Sequence, residues 1–223
     1  MELYVDSADV SVWQEWLPAG LFYGVTTNPL LLQRANVPCD LTTLTRLANT
    51  AFALGAQRIH LQVWGTDAAT MTAIGRQLAA VDDRVSVKVP ITREGSLCAQ
   101  RLIADGISVT LTGVYAAYQT LTALALGADY AAPYLGRMNE AGRDGQAEIL
   151  TMYRMTQNLG IPLKLLVASL RRVEDVVALA QHGVNVFTLA PAIVEALFGD
   201  PLTAQAAADF EAAARAMGAV DPA

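Results

Sequence analysis

Short β-rich runs alternate with Ala- and Leu-rich segments along the chain, and this alternation restricts the fold more than any other feature. Eight runs have the composition of strands: residues 2–6, 22–28, 58–64, 85–89, 107–112, 129–135, 162–169 and 184–190. The segments between them carry apolar residues at helical spacing, and several end at a glycine just before the next run. Near-continuous apolar strands that alternate with helices predict a parallel sheet covered by helices.

The number of these units favours a closed barrel. Eight units in 223 residues fit a single (β/α)8 TIM barrel better than an open doubly wound sheet. No glycine-rich dinucleotide fingerprint follows the first strand. Asp200 and Pro201 resemble an N-cap and a first helical residue, so a further helix is predicted over about 201–217. We expect a catalytic barrel over 1–200, and a C-terminal helix and tail over 201–223 that pack on a neighbouring subunit.

Composition excludes several kinds of partner and site. A net charge of −6 argues against nucleic acid or an anionic membrane as a general partner. The charge-free stretch 107–128 contains threonines and reads better as a strand followed by a buried helix than as a membrane span. The two cysteines and two histidines are too few and too dispersed for a metal site or a disulfide framework. With no basic and apolar leader at residues 1–9, the expected compartment is the cytoplasm.

The stretch VSVKVP places a lysine inside an apolar, β-branched strand. The chain has 15 lysines and arginines together, but the only lysines are Lys88 and Lys164. Arginine stays charged, whereas a desolvated lysine can lose its proton and act as a nucleophile. The alternative is that the side chain of Lys88 runs along the strand and reaches solvent at its end.

Polar residues recur where the predicted strands end, which is where chemistry takes place in such barrels. These residues are Asp6, Thr26, Asn28, Gln62, Lys88, Thr110, Thr112, Tyr134 and Ser169. Period-two alternation allows Thr26 and Asn28 to share one face of their strand, and the same holds for Ser86 and Lys88. A single residue of this kind is usually a helix cap or a turn residue. So many together indicate a site.

This set of residues has a chemical logic. A deprotonated lysine amine can attack a ketone and form a Schiff base, and the protonated iminium then withdraws electrons so that a nearby carbon–carbon bond breaks or forms. A proton must move at the hydroxyl of the cleaved carbon. Asp6 or Tyr134 could move it, through a water held by Gln62 and Thr112.

Two predicted loops carry groups that suit a phosphate. Arg137 follows the sixth strand, and Ser169 and Arg171 follow the seventh. Guanidinium, hydroxyl and helix N-terminal amides together bind phosphate, commonly near the last loops of a barrel. The alternative is that Arg171 and Arg172 are ordinary solvated helix residues. Arg137 is the stronger candidate.

The segments YVDSAD, GVTTNPLLL, VSVKVPIT, TLTGVY, APYLGR and VAS resemble the transaldolase family. They are most similar to the short branch that contains small transaldolases and fructose-6-phosphate aldolases, in the same order over nearly the whole chain. The resemblance implies class I aldol chemistry on sugar phosphates without a metal or an organic cofactor. It also implies a ring-shaped homo-oligomer, a pentamer or decamer, in which the last helix reaches a neighbour.

The resemblance also assigns roles to residues. It implies that Lys88 forms the Schiff base and that Asp6 handles a proton. It further implies contacts to the dihydroxyacetone moiety and to the phosphate from Thr26, Asn28, Arg137 and Ser169.

Two positions bear on the reaction type. Small transaldolases usually carry glutamate and phenylalanine where this chain has Gln62 and Tyr134, a pair that resembles the aldolase branch. A phenol beside the enamine favours its protonation and release of the free ketone. We therefore expect a class I aldolase that cleaves or forms fructose 6-phosphate or a related ketose, with a dihydroxyacetone-type donor and a glyceraldehyde 3-phosphate-type acceptor. The alternatives are a transaldolase and a non-catalytic ring that binds sugar phosphates.

Overall fold

The computed structural model describes residues 1–220 of the chain. Its eight strands run parallel and close into a barrel in chain order, with the eighth strand bonded to the first. The strands are β1 (Glu2–Asp6), β2 (Gly24–Thr26), β3 (Arg58–Gln62), β4 (Val85–Pro90), β5 (Val109–Val114), β6 (Tyr130–Pro133), β7 (Lys164–Val167) and β8 (Val186–Leu189). The predicted (β/α)8 barrel is confirmed.

Helices connect the strands, and most of them cover the outside of the barrel. They are α1 (Val10–Trp16), α2 (Pro29–Arg34), α3 (Leu41–Ala53), α4 (Ala68–Ala79), α5 (Arg93–Ala104), α6 (Thr120–Leu126), α7 (Leu135–Glu140), α8 (Gly145–Leu159), α9 (Val173–Ala180), α10 (Pro191–Ala196) and α11 (Pro201–Ala216). Aspartates that accept hydrogen bonds from the first-turn amides begin several of them, for example Asp40 before α3 and Asp67 before α4. Each such cap contributes about 1 kcal/mol to the stability of the fold.

The inside of the barrel is filled with aromatic and apolar side chains below the C-terminal ends of the strands. Tyr4, Tyr130, Leu166 and Val186 belong to this inner cluster. The buried ring of His60 meets Tyr4 and Tyr130 edge-on, with ring centroids 5.0 and 4.9 Å apart. Burial is the largest cause that lowers the pKa of His60 well below its usual value, so the ring is neutral. We call these five residues the barrel plug.

The end of β5 is irregular. The register against β6 shifts between Thr112 and Val114. Gly113 lies between them with a φ of 74°, a conformation that favours glycine. Such a bulge bends the strand and re-aims the side chains next to it, as is common beside active sites.

The last helix, α11, stands away from the barrel, since none of its residues is buried. Leu202 is 79% exposed and Phe210 is 73% exposed. The helix predicted over about 201–217 is thus observed at Pro201–Ala216. Residues 221–223 of the predicted tail lie outside the described residues. Within residues 1–220 there is no helix whose length and apolar character would let it cross a membrane.

Candidate active site

Lys88 lies at the base of a cavity of about 480 Å³ at the C-terminal end of the barrel. It is 4% exposed, and its Nζ donates a hydrogen bond of 2.9 Å to the backbone carbonyl of Thr27. The side chain therefore turns into the barrel mouth and does not reach bulk solvent along its strand. The cavity wall includes Asp6, Asn28, Tyr134, Arg137, Ser169 and Arg171. These residues come from β1 and from the segments that follow β2, β6 and β7.

Asp6 ends β1 and lines the same cavity. Its Oδ1 accepts a hydrogen bond of 2.7 Å from the hydroxyl of Thr26. Burial raises the pKa of the Asp6 carboxyl, and the nearby charge of Lys88 and the Thr26 hydroxyl partly oppose that rise. With its pKa above the ordinary carboxyl value, Asp6 is suited to exchange a proton under mild conditions.

Thr26 is fully buried and lies behind Asp6, where its hydroxyl also bonds that of Thr188. The resemblance implies a contact from Thr26 to the dihydroxyacetone moiety, which stays a prediction; in the structure its hydroxyl donates to Asp6. Asn28 does line the cavity, and its Oδ1 accepts from the amides of Leu30 and Leu31, which caps α2.

Tyr134 places a phenol on the cavity wall, at the start of α7. Its hydroxyl lies 2.8 Å from the Oγ1 of Thr112. Thr110, the other candidate on β5, instead bonds the Nδ1 of His60 at 2.8 Å inside the barrel. Both threonines precede the bulge on β5, and Thr112 lies two residues nearer the C-terminal end of the strand. Thr112 is the one that meets the phenol.

Gln62 ends β3 in register with Lys88 of β4. It is half-buried. The cavity is formed mainly on the opposite side of the barrel, by segments that follow β1, β2, β6, β7 and β8. Gln62 therefore neighbours the lysine strand without bordering the cavity, and its role with a bound water stays a prediction.

Arg137 and Ser169 form one cationic and polar end of the cavity. The guanidinium of Arg137 donates a hydrogen bond of 3.3 Å to the hydroxyl of Tyr115 and lies 5.3 Å from the ring centroid of Tyr134. Ser169 has a φ of 61°, and its buried Oγ has no hydrogen-bond partner among the described residues. A cation and an unpartnered hydroxyl from residues that line the same cavity are groups suited to an anionic ligand.

Arg171 is placed differently from Arg137. Its guanidinium pairs with the carboxylate of Glu140 at 2.8 Å, although both side chains border the cavity. The pair is exposed, so it neutralises Arg171 without contributing much to stability. Arg172 is exposed and pairs with Asp175, in agreement with its interpretation as a solvated helix residue.

Sequence reasoning missed Arg34, which borders the cavity from the end of α2. Its charge is among the causes that lower the pKa of Asp6. Arg34 stands in a helix six residues beyond Asn28 and not at a strand end, so the search along strand ends passed over it. The available signal was Asn28 itself. It caps α2, and this helix places Arg34 beside the cavity.

The described part of the chain contains no group of three or more His, Cys, Asp or Glu residues able to hold a metal ion. Cys98 is buried within α5, whereas Cys39 is exposed in the loop before α3.

Solved structures with the same architecture are distant in sequence. A mandelate oxidase variant with a flavin mononucleotide adduct superposes with a TM-score of 0.59 at 15% identity, over 85% of this chain and 64% of the other. A flavocytochrome b2 variant gives a TM-score of 0.58 at 11% identity, over 85% and 56% of the two chains. Both likenesses concern the barrel fold alone.

Sequence comparisons are more specific. A protein described as a probable transaldolase from Phenylobacterium zucineum is 34% identical over 210 residues, which cover 94% of each chain. Another of that description from Thermus thermophilus is 35% identical over 211 residues, covering 91% of this chain and 93% of the relative. The family model described as Transaldolase/Fructose-6-phosphate aldolase matches residues 3–222. The chain therefore belongs to the transaldolase and fructose-6-phosphate aldolase family, and it is an aldolase- or transaldolase-like enzyme of carbohydrate metabolism.

Proposed function

We propose that the protein is a class I aldolase that cleaves or forms fructose 6-phosphate or a related ketose. The observation that carries the proposal is the shared cavity of Lys88, Asp6 and Tyr134, in which a buried amine meets a carboxyl and a phenol. An amine for condensation and two groups for proton transfer are what Schiff-base aldol chemistry needs.

In the cleavage direction, the Nζ of Lys88 attacks the ketone carbon, and loss of water gives the iminium. Asp6 removes the proton from the hydroxyl on the fourth carbon, the bond between the third and fourth carbons breaks, and its electron pair forms the enamine. An aldehyde of the glyceraldehyde 3-phosphate type leaves. Tyr134 then delivers a proton to the enamine carbon, and water hydrolyses the iminium to free dihydroxyacetone and Lys88.

The remaining residues orient the two ends of the substrate. We assign the donor end to Asn28, with Thr26 holding Asp6 in place. Thr112 orients the phenol, and Gln62 helps to hold the catalytic water. The phosphate belongs at Arg137 and at the unpartnered hydroxyl of Ser169, with Arg171 contributing when its bond to Glu140 opens.

A transaldolase is the second candidate, since the relatives described as probable transaldolases support it. Such an enzyme keeps the enamine until an aldose phosphate accepts the three-carbon unit. The phenol of Tyr134 on the cavity wall favours the aldolase, because it places a proton donor beside the enamine. The cytoplasmic location expected of either enzyme stays a prediction.

An assay without acceptor aldehyde separates the two. The purified protein is incubated with fructose 6-phosphate alone, and free dihydroxyacetone is quantified over many turnovers. Accumulation beyond one equivalent per active site supports the aldolase. Release that needs an added aldose phosphate contradicts it and leaves the transaldolase.

The lysines provide a matched pair for the covalent step. Lys88→Arg is expected to abolish turnover and the mass adduct formed by dihydroxyacetone and borohydride, because guanidinium stays protonated. Lys164→Arg is the control, since Lys164 is exposed and pairs with Glu2 at the other end of the barrel. An adduct that persists in Lys88→Arg would overturn the assigned nucleophile.

We also propose that α11 packs on a neighbouring subunit in a homo-oligomeric ring, outside a catalytic barrel that ends near residue 200. This proposal is supported by three exposed apolar side chains, Leu202, Phe210 and Met217. The first two lie in α11, the third caps its C-terminal end, and all three lie along one side of the helix.

A further inference from the structure

Tyr115 follows β5 and has a hydroxyl that binds Arg137, although it does not itself border the cavity. Its ring lies edge-on to that of Tyr134, with centroids 5.5 Å apart at 76°. Its backbone is fixed from both sides: the amide donates to the Oε1 of Gln119 at 2.7 Å, and the carbonyl accepts from Arg143 at 2.9 Å. A residue whose backbone is anchored in this way gives its side chain a fixed base from which to hold Arg137.

Arg137 is held between two phenols. One of its N–H groups donates to the Tyr115 hydroxyl, and its guanidinium carbon lies over the Tyr134 ring. The bond to Tyr115 is the largest cause that raises the pKa of Arg137, so this cation stays charged. Tyr134 has a separate anchor, because its own hydroxyl is bonded to Thr112. Loss of the Tyr115 hydroxyl therefore frees Arg137 but leaves the phenol of Tyr134 bonded to Thr112.

We propose that Tyr115 is a positioning residue that sets the preference for phosphorylated over unphosphorylated substrates, by fixing Arg137 where a phosphate meets it. The inference rests on the proposed function, since it concerns the phosphate end of the same cavity. Without the Tyr115 hydroxyl, the guanidinium keeps its charge but loses its fixed direction. A guanidinium recognises phosphate through the direction of its N–H groups, so binding of the phosphate weakens while the Schiff-base chemistry at Lys88 is retained.

The test compares Tyr115→Phe with Tyr118→Phe. Tyr118 is 71% exposed and lies in the same loop, so its variant controls for the loss of a hydroxyl there. Steady-state kinetics are measured with fructose 6-phosphate and with fructose, and thermal melting verifies the fold. For Tyr115→Phe we expect KM for fructose 6-phosphate to rise about tenfold, the lower end for a hydrogen bond to a charged group. We expect kcat with both ketoses and KM for fructose to stay unchanged. Tyr118→Phe should match the wild type.

Two results would overturn the inference: unchanged KM for fructose 6-phosphate, or an equal loss with both ketoses, which indicates a structural role. Calorimetric binding of fructose 6-phosphate and fructose is measured alongside turnover, and Tyr115→Phe is expected to weaken only the former. This makes failure of the proposed function distinguishable. A wild type that binds fructose 6-phosphate without turnover or a borohydride adduct contradicts the aldolase, while the binding ratio still decides the role of Tyr115.

Discussion

Replacement of Tyr134 by phenylalanine tests how the proton reaches the enamine. The change removes a hydroxyl that lies 2.8 Å from Thr112 and leaves the ring in place. If this phenol protonates the enamine carbon, its loss removes a general acid worth about 10²- to 10⁴-fold in rate. That corresponds to about 3 to 5 kcal/mol of transition-state stabilisation. Release of free dihydroxyacetone should fall by that factor, whereas transfer to an added aldose phosphate should fall much less, because transfer bypasses this protonation.

The effect on stability is smaller and can be separated. Thr112 is 3% exposed, so Tyr134→Phe leaves a buried hydroxyl without its partner. Such a loss costs about 1 to 3 kcal/mol. In a domain of this size, each kcal/mol lowers Tm by about 2 to 4 °C. A variant measured well below its melting temperature is therefore fully folded, and its kinetics report on the chemistry.

The assay follows dihydroxyacetone release from fructose 6-phosphate, with and without an added aldose phosphate. Thr112→Val is the matched control, because it breaks the same hydrogen bond but keeps the phenol. It should lower Tm similarly and reduce release much less than Tyr134→Phe does. The reasoning is refuted if Tyr134→Phe leaves the ratio of release to transfer unchanged, or if Thr112→Val changes that ratio as strongly.

Three further predictions concern the cavity wall and the last helix. Arg34→Gln removes a charge that lowers the pKa of Asp6, so this pKa should rise and the acidic limb of the kcat/KM profile should move to higher pH; an unmoved limb would contradict the assigned influence on Asp6. Ser169→Ala removes the unpartnered hydroxyl and should raise KM for fructose 6-phosphate about tenfold, with KM for fructose unchanged; equal effects on both would place the phosphate elsewhere. Leu202→Gln with Phe210→Gln should reduce the oligomer mass in analytical ultracentrifugation, and an unaltered mass would show that α11 makes no subunit contact.

The architecture could be read from the chain because its signals are local. β1 was predicted at residues 2–6 and is observed at Glu2–Asp6. The run 162–169 contains the shorter β7, Lys164–Val167, because flanking residues of similar composition lie outside the strand; Ser169, for example, has a φ of 61°. For β5 the predicted and observed spans, 107–112 and Val109–Val114, differ by two residues at each end. The bulge at Gly113 depends on pairing with β6, which no local pattern reveals.

Strand periodicity predicts which face of a strand a residue occupies, but it does not predict which partner its side chain bonds. Lys88 and Asp6 point into the barrel mouth because alternation along their strands requires it. Thr26 obeys the same alternation, but its hydroxyl is used by Asp6, a contact between strands. Arg171 lies beside the cavity as expected, yet its charge is paired with Glu140 from another loop. Such pairings follow from tertiary packing, so a list of strand-end residues cannot contain them.

The barrel plug has a consequence for the order in which products depart. Because aromatic rings fill the space beneath Lys88, a substrate reaches the amine through the rim that carries Arg137. In the proposed cleavage, the aldehyde fragment forms nearer that opening, and the three-carbon fragment stays bonded to Lys88 below it. The proposed mechanism therefore predicts an order of release: the aldehyde departs first, and the three-carbon product departs only after hydrolysis of the iminium.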